Sequence, residues 1–259
     1  VDKSQVMEVR VKGWKILEAS IRLLMNNIGA AFRVSVVPGL MILALSIALI
    51  AGVYALTGGT PEPVAEPGVV PVALVVFVIY AALFASVAVS WHRHVLLAEP
   101  VGWLPALRRR RIGAYALRVI LLVVLLLAIG FLVMTPIFLI TGASDGAGVL
   151  TVILGLVALL FLNIAAWRFS TALPGAALDR GEGFGAAWTA TQGEWPAMLI
   201  LVVGFGLISF LCGLIGGLLA IVPVLGMIAN LAINWFLGML GLSILTTLYG
   251  HYIEKRPLV

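Results

Sequence analysis

Three histidines, His92, His94 and His251, are the side chains of this chain whose type best suits metal binding or proton transfer at neutral pH. His92-Arg93-His94 could offer two metal ligands, with His251 as a third if two helix ends met. The spacing argues against it. Residues two apart on a helix point about 200° apart, Arg93 between them opposes a cation, and Glu99 is the one carboxylate near in sequence. The single cysteine, Cys212, lies in an apolar run, which leaves no disulfide within the chain and no cysteine metal cluster. We therefore expect no metal and no cofactor, and histidines that lie beside lipid headgroups.

The cations point to a different chemistry. Arg108-Arg109-Arg110-Arg111 places four guanidinium groups just beside an apolar run. Such a block attracts anionic lipid at about 1 kcal/mol per charge near the surface, although setting the orientation of the chain would explain it as well. The net charge of +5 and pI near 9.7 need no nucleic acid, since no soluble reading domain accompanies them. Arg93 and Arg168, with His92 and His251, fall at corresponding ends of three apolar runs. They could form a ring for anionic headgroups, because a guanidinium can bond two phosphate oxygens at once. In the alternative, each side chain snorkels separately to water. Inside the apolar runs the polar side chains are Asn163, Asn230 and Asn234, with a few serines and threonines. They would line a substrate path or hydrogen-bond between helices. The centres of the runs hold no ionisable residue, which disfavours an ion-driven transporter. No phosphate-binding loop, nucleophile elbow or zinc-protease motif is present. Without a base and nucleophile in reach of each other we expect no enzyme.

These residues must be positioned by helices in a membrane. Hydrophobic residues make up 63% of the 259 residues and charged residues 10%, against roughly 45–50% and about 25% in soluble domains. The mean hydropathy of +1.18 agrees. Six apolar runs, near 34–56, 69–91, 115–139, 147–168, 196–220 and 224–249, approach or exceed the ~20 residues needed to cross a bilayer core. No short apolar core follows the early charges, so no cleavable signal peptide is expected. The loop after the first run carries Glu62 and Glu66, and the loop after the third carries Asp145. All 16 Lys and Arg fall on the other side, which puts both termini in the cytoplasm of a bacterial inner membrane. Trp14, Trp91, Trp103, Trp167, Trp188 and Trp195 fall at the same boundary, where an indole anchors at headgroup level.

The chain reads as a single membrane domain of three parallel repeats, about 13–94, 102–172 and 183–252. Ile28-Gly29-Ala30-Ala31-Phe32-Arg33-Val34 resembles Ile112 to Val119 with one residue inserted, and Gly102 to Leu107 aligns with Gly183 to Trp188 at an offset of 81. Ser90-Trp91-His92-Arg93, Ala166-Trp167-Arg168-Phe169 and Leu248-Tyr249-Gly250-His251 end the even spans alike. Each repeat is read as an amphipathic interfacial helix followed by a span out and a span back. In the first such helix the apolar stripe is Trp14, Leu17, Ile21, Leu24 and Ile28, opposite Lys15, Glu18, Arg22 and Asn26. In the third it is Phe184, Trp188, Thr191 and Trp195. The small-residue spacings Gly213-x-x-x-Gly217 and Ala81-x-x-x-Ala85 suit helix packing or a homo-oligomer face.

The connector Leu173-Pro174-Gly175-Ala176-Ala177-Leu178-Asp179-Arg180-Gly181-Glu182-Gly183-Phe184-Gly185-Ala186-Ala187-Trp188, leading to Thr191-Gln192-Gly193-Glu194-Trp195, resembles one found in a broad group of bacterial six-span inner-membrane proteins. That group includes the membrane domain attached to some glycerophosphodiester phosphodiesterases. The resemblance implies a polytopic all-α bundle and transfers no catalytic residue; the chain has no room for the phosphodiesterase domain. The expected function is a non-enzymatic inner-membrane scaffold or accessory protein. Its partners would be the phospholipid bilayer, anionic lipids, and a membrane protein or a second copy. The alternative is a small permease or lipid-handling transporter with a path at the bundle centre.

Overall fold

A computed structural model describes residues 3–56, 69–104, 112–142 and 148–258. Its elements, in order, are α1 (Lys3–Asn26), α2 (Ile28–Leu56), α3 (Val69–Leu97), α4 (Ile112–Gly142), α5 (Gly148–Ser170), α6 (Leu173–Ala177), α7 (Phe184–Ala190), α8 (Trp195–Leu219) and α9 (Pro223–Leu248). A π-helical turn, Tyr249–Ile253, closes α9. No strand occurs among the described residues. Six segments are long and apolar enough to cross a membrane: Ile28–Ala55, Pro71–Leu97, Ile112–Thr141, Gly148–Ala177, Trp195–Leu219 and Pro223–Ile253. The chain is therefore a multi-pass, all-helical membrane protein.

The helices outrun the apolar stretches that mark them. The first span begins at Ile28 rather than near 34, and the last reaches Ile253. Apolar residues report the hydrocarbon core, whereas the backbone keeps its internal hydrogen bonds through the interface as well. Pro196 and Pro223 sit in the first turns of α8 and α9, where a missing N–H costs no helical bond. Much of the surface is bare hydrocarbon: Phe131 and Leu132 on α4 are 76% and 74% exposed. In lipid that is an ordinary outer surface, because helices gain little from burying apolar groups against one another there.

Two compact units are distinguished. The first comprises residues 1–26, 118–176 and 180–259. In it α1 lies along α8 and α9, α5 lies on α8 and α7, and α8 lies on α9. Ile16, Leu17 and Leu24 of α1 are buried, as are Met198 and Leu201 of α8 and Leu240, Ile244 and Leu248 of α9. The buried face of α1 is Gly13, Ile16, Leu17, Ser20 and Leu24, with Trp14 59% exposed. This corrects the expected stripe through Trp14 and Ile21. Size decides the contact: a Cβ on Gly13 would lie 2.5 Å from the Ala197 carbonyl oxygen, and one on Gly204 would lie 2.7 Å from Leu17. Small residues let the backbones meet, and the buried Ser20 hydroxyl donates to the Ile16 carbonyl at 2.7 Å. The second unit comprises residues 27–117 and 177–179. There α2 lies on α3, the Ser46 and Tyr80 hydroxyls bond one another, and the core gathers at the end of α3 around Leu83, Ala88, Val89 and Trp91.

Candidate functional site

The polar residues of the first unit concentrate where α5, the connector and α9 end. Arg168 leaves α5 almost fully buried. Its Nε donates to Thr191 Oγ1 and its Nη2 to the Trp188 carbonyl, both at 2.9 Å, while its Cζ lies over the Trp188 ring, 3.6 Å from the ring centre. Phe169 stacks on the same indole at 4.8 Å. The spacing Phe184, Trp188, Thr191 places these groups on one side of α7, so Arg168 serves as the peg on which α7 docks. Arg118, at the base of α4, donates from Nη1 to the carbonyls of Ala172 at 3.1 Å and Glu182 at 2.8 Å, holding both ends of the connector.

The connector meets the end of α9 at Gly175. The Tyr249 hydroxyl donates to Glu182 Oε2 at 3.3 Å. A Cβ on Gly175 would lie 2.9 Å from that oxygen and 3.2 Å from the Tyr249 ring, which accounts for glycine there. Arg180 pairs with Glu254 and reaches the Tyr249 hydroxyl at 3.5 Å, and Arg256 shares Glu254. The Arg180 guanidinium is held above its ordinary range, first by the Tyr249 hydroxyl and then by Glu254. Lys12 pairs with Glu194 and lies 5.1 Å from the centre of the Tyr252 ring. These contacts staple α1 and the final turn to the start of α8. The π turn brings Tyr249 and Tyr252 inward together, as an inserted residue in a helix re-aims its neighbours.

In the second unit Arg93 makes a two-pronged pair with Glu99, Nε to Oε2 at 3.0 Å and Nη2 to Oε1, and its Nη1 donates to the Ala177 carbonyl at 2.9 Å. His92 is fully buried, with Nε2 3.3 Å from the Tyr115 hydroxyl. His94 Nδ1 donates to the Glu99 carbonyl at 2.8 Å. His251 Nδ1, in the first unit, donates to the Arg256 carbonyl at 3.0 Å. Each of these two imidazoles reaches five residues on, across a residue with positive φ: Ala98 at 54° and Lys255 at 58°.

Several of the expected site residues are engaged within the protein. Arg93 and Arg168 direct their guanidinium edges at protein carbonyls, Glu99 and Thr191 rather than outward for phosphate. His92 and Trp91 are fully buried, so neither meets a headgroup. The helices continue past the apolar runs of the sequence, and Trp91, His92 and Arg168 at their ends are buried. Trp14, Trp103 and Trp195 are more than half exposed, whereas Trp167 meets Phe205 edge-on and Trp188 lies under Arg168. Arg108, Arg109, Arg110 and Arg111 lie outside the described residues. His92 and His94 turn to separate partners, and among the described residues no three His, Cys, Asp or Glu side chains are grouped to hold a metal.

The asparagines do not bridge helices. Asn163 donates to the Leu159 carbonyl at 2.9 Å, Asn230 to Gly226 at 2.8 Å and Asn234 to Asn230 at 2.7 Å, each one turn back on its own helix. A carbonyl four residues back is always in reach, so it captures a short polar side chain in a helix. Asn230 faces α8 at Gly216, where a Cβ would lie 3.0 Å from Asn230 Oδ1. Sequence reasoning missed Lys12, Arg118, Glu182, Glu194, Tyr252 and Glu254, and placed Tyr249 beside headgroups rather than against Glu182. Only the Leu173-Pro174-Gly175 break and Gly250 signalled that the connector and the end of α9 meet closely. No family model, curated protein or solved structure matches the chain.

Proposed function

We propose that the protein is a non-catalytic scaffold or accessory protein of a bacterial inner membrane, with both termini cytoplasmic and its basic side against anionic lipid. The observation that carries this reading is a division of labour among the cations. Arg93, Arg118 and Arg168 are spent inside the protein, bonded to carbonyls, a hydroxyl and Glu99. Lys15, Arg22, Arg33, Arg180, Lys255 and Arg256 stand exposed. The internal set holds the helix ends and connector in place, and the exposed cations, with the Arg108-Arg109-Arg110-Arg111 run of the sequence, supply positive charge suited to a negative leaflet. On this reading lipid headgroups meet these cations rather than the buried guanidinium groups. A protein so built recruits anionic lipid and offers a bilayer-embedded surface to membrane partners or a second copy.

The test is the lipid that remains with protein extracted in native membrane discs. Anionic lipid should be enriched over the bulk membrane. Changing Arg108, Arg109, Arg110 and Arg111 to Gln should remove most of that enrichment, since each charge near the surface is worth ~1 kcal/mol. Raising the salt should weaken it as well. Unchanged enrichment in the variant and at high salt refutes the reading.

A further inference from the structure

A groove of 530 Å³ runs along the outer surface of the first unit between α5 and α8, lined by Leu156, Leu160, Asn163 and Trp167 on one side and by Phe205, Gly206 and Ser209, among others, on the other. Its volume lies within the ~300–1,000 Å³ typical of ligand sites, and like them it is apolar with a few polar groups. From Leu156 to Trp167 it extends eleven residues of helix, about 16 Å, roughly the depth of one leaflet of a hydrocarbon core about 30 Å thick. Leu156 and Val203 are 62% and 57% exposed, so the groove opens sideways to lipid.

Its polar groups form a pair. Trp167 meets Phe205 at 5.6 Å between ring centres. In neighbouring spans running in opposite senses, one turn back from Trp167 and one turn on from Phe205 are Asn163 and Ser209, at the same level. They do not bond each other: Asn163 donates to Leu159 and Ser209 to the Phe205 carbonyl. That leaves the second N–H and the carbonyl oxygen of Asn163, and the lone pairs of Ser209, available to a ligand in the groove. Such groups in hydrocarbon need partners. No lining residue is ionisable, and the neighbouring Arg168 is engaged by Trp188 and Thr191, so nothing balances a phosphate. A ligand with acceptors alone would leave the Asn163 oxygen and Ser209 without a donor. A hydroxyl beside an ester carbonyl supplies both, one helical turn deeper than Trp167.

We propose that the α5–α8 groove binds an uncharged glycerolipid of the diacylglycerol class, one acyl chain along the groove and its hydroxyl and ester between Asn163 and Ser209. This goes beyond the attraction of exposed cations for anionic lipid and does not depend on it. The probe is a diacylglycerol with a diazirine in one acyl chain, in vesicles of phosphatidylethanolamine and phosphatidylglycerol containing the full chain. Labelling should map to peptides covering 156–167 and 202–209. It should fall roughly tenfold in the Asn163→Leu, Ser209→Ala double variant, as expected for two lost hydrogen bonds. Gly206 has no atom within 4 Å of an added Cβ, so Gly206→Phe fills the groove with the polar pair intact and should also abolish labelling. The second variant decides the matter if the first fails to fold. Equal labelling by a diazirine phosphatidylglycerol, labelling elsewhere on the chain, or a second copy shielding the groove peptides overturns the proposal.

Discussion

Replacing Gly13 with alanine tests how α1 is held. The added Cβ would lie 2.5 Å from the Ala197 carbonyl oxygen, 2.8 Å from Ile200 Cβ and 3.1 Å from Ala197 Cα. Two of these three atoms are α8 backbone and cannot yield alone, so α1 must shift and loosen Ile16 and Leu17, both buried. Overpacking of this kind costs about 1–3 kcal/mol. Alanine's better helix propensity returns roughly 0.5–1 kcal/mol, for a net loss of up to about 2.5 kcal/mol and a deficit of about 1–3 kcal/mol against an alanine placed in open space. Gly52, in α2, has no atom within 4 Å of an added Cβ and serves as the control. Reversible unfolding of the purified protein in mild detergent titrated with dodecyl sulfate gives the comparison. Gly13→Ala should unfold earlier than the parent, and Gly52→Ala should match it or exceed it. A Gly13→Ala variant as stable as Gly52→Ala would refute the close approach of α1 and α8.

Arg168→Lys keeps the charge but loses the planar contact with Trp188 and one of the two hydrogen bonds. A loss of about 2 kcal/mol is expected in the same unfolding assay, with faster proteolysis near Arg180. Exchanging Lys12 and Glu194 should restore most of what either single reversal loses. Because the pair is 30% and 23% exposed, a double-mutant cycle should find a coupling below about 1 kcal/mol.

The spans were legible because lipid leaves the chain no choice: a run of about 20 apolar residues is both necessary and conspicuous. The face of α1 was not, because hydropathy favours Trp14 while the contact selects Gly13 and Ser20 for their size. The ion pairs were not, since Lys12 and Glu194 lie 182 residues apart and nothing local links them. Trp91 and His92 look interfacial at the end of an apolar run, yet α3 continues to Leu97 and both side chains are buried, His92 against Tyr115. His94 and His251 make matching caps, each to a carbonyl five residues on; local spacing alone does not reveal them.

The proposed function requires that every Lys and Arg lie on the cytoplasmic side. Reporter fusions placed after Gly58, Arg110 and Gly146 measure it directly. The expected result is a cytoplasmic signal at Arg110 and the opposite side at Gly58 and Gly146. A cytoplasmic signal at Gly58 contradicts it, because the first span would then fail to cross and the cations would be divided between the two leaflets.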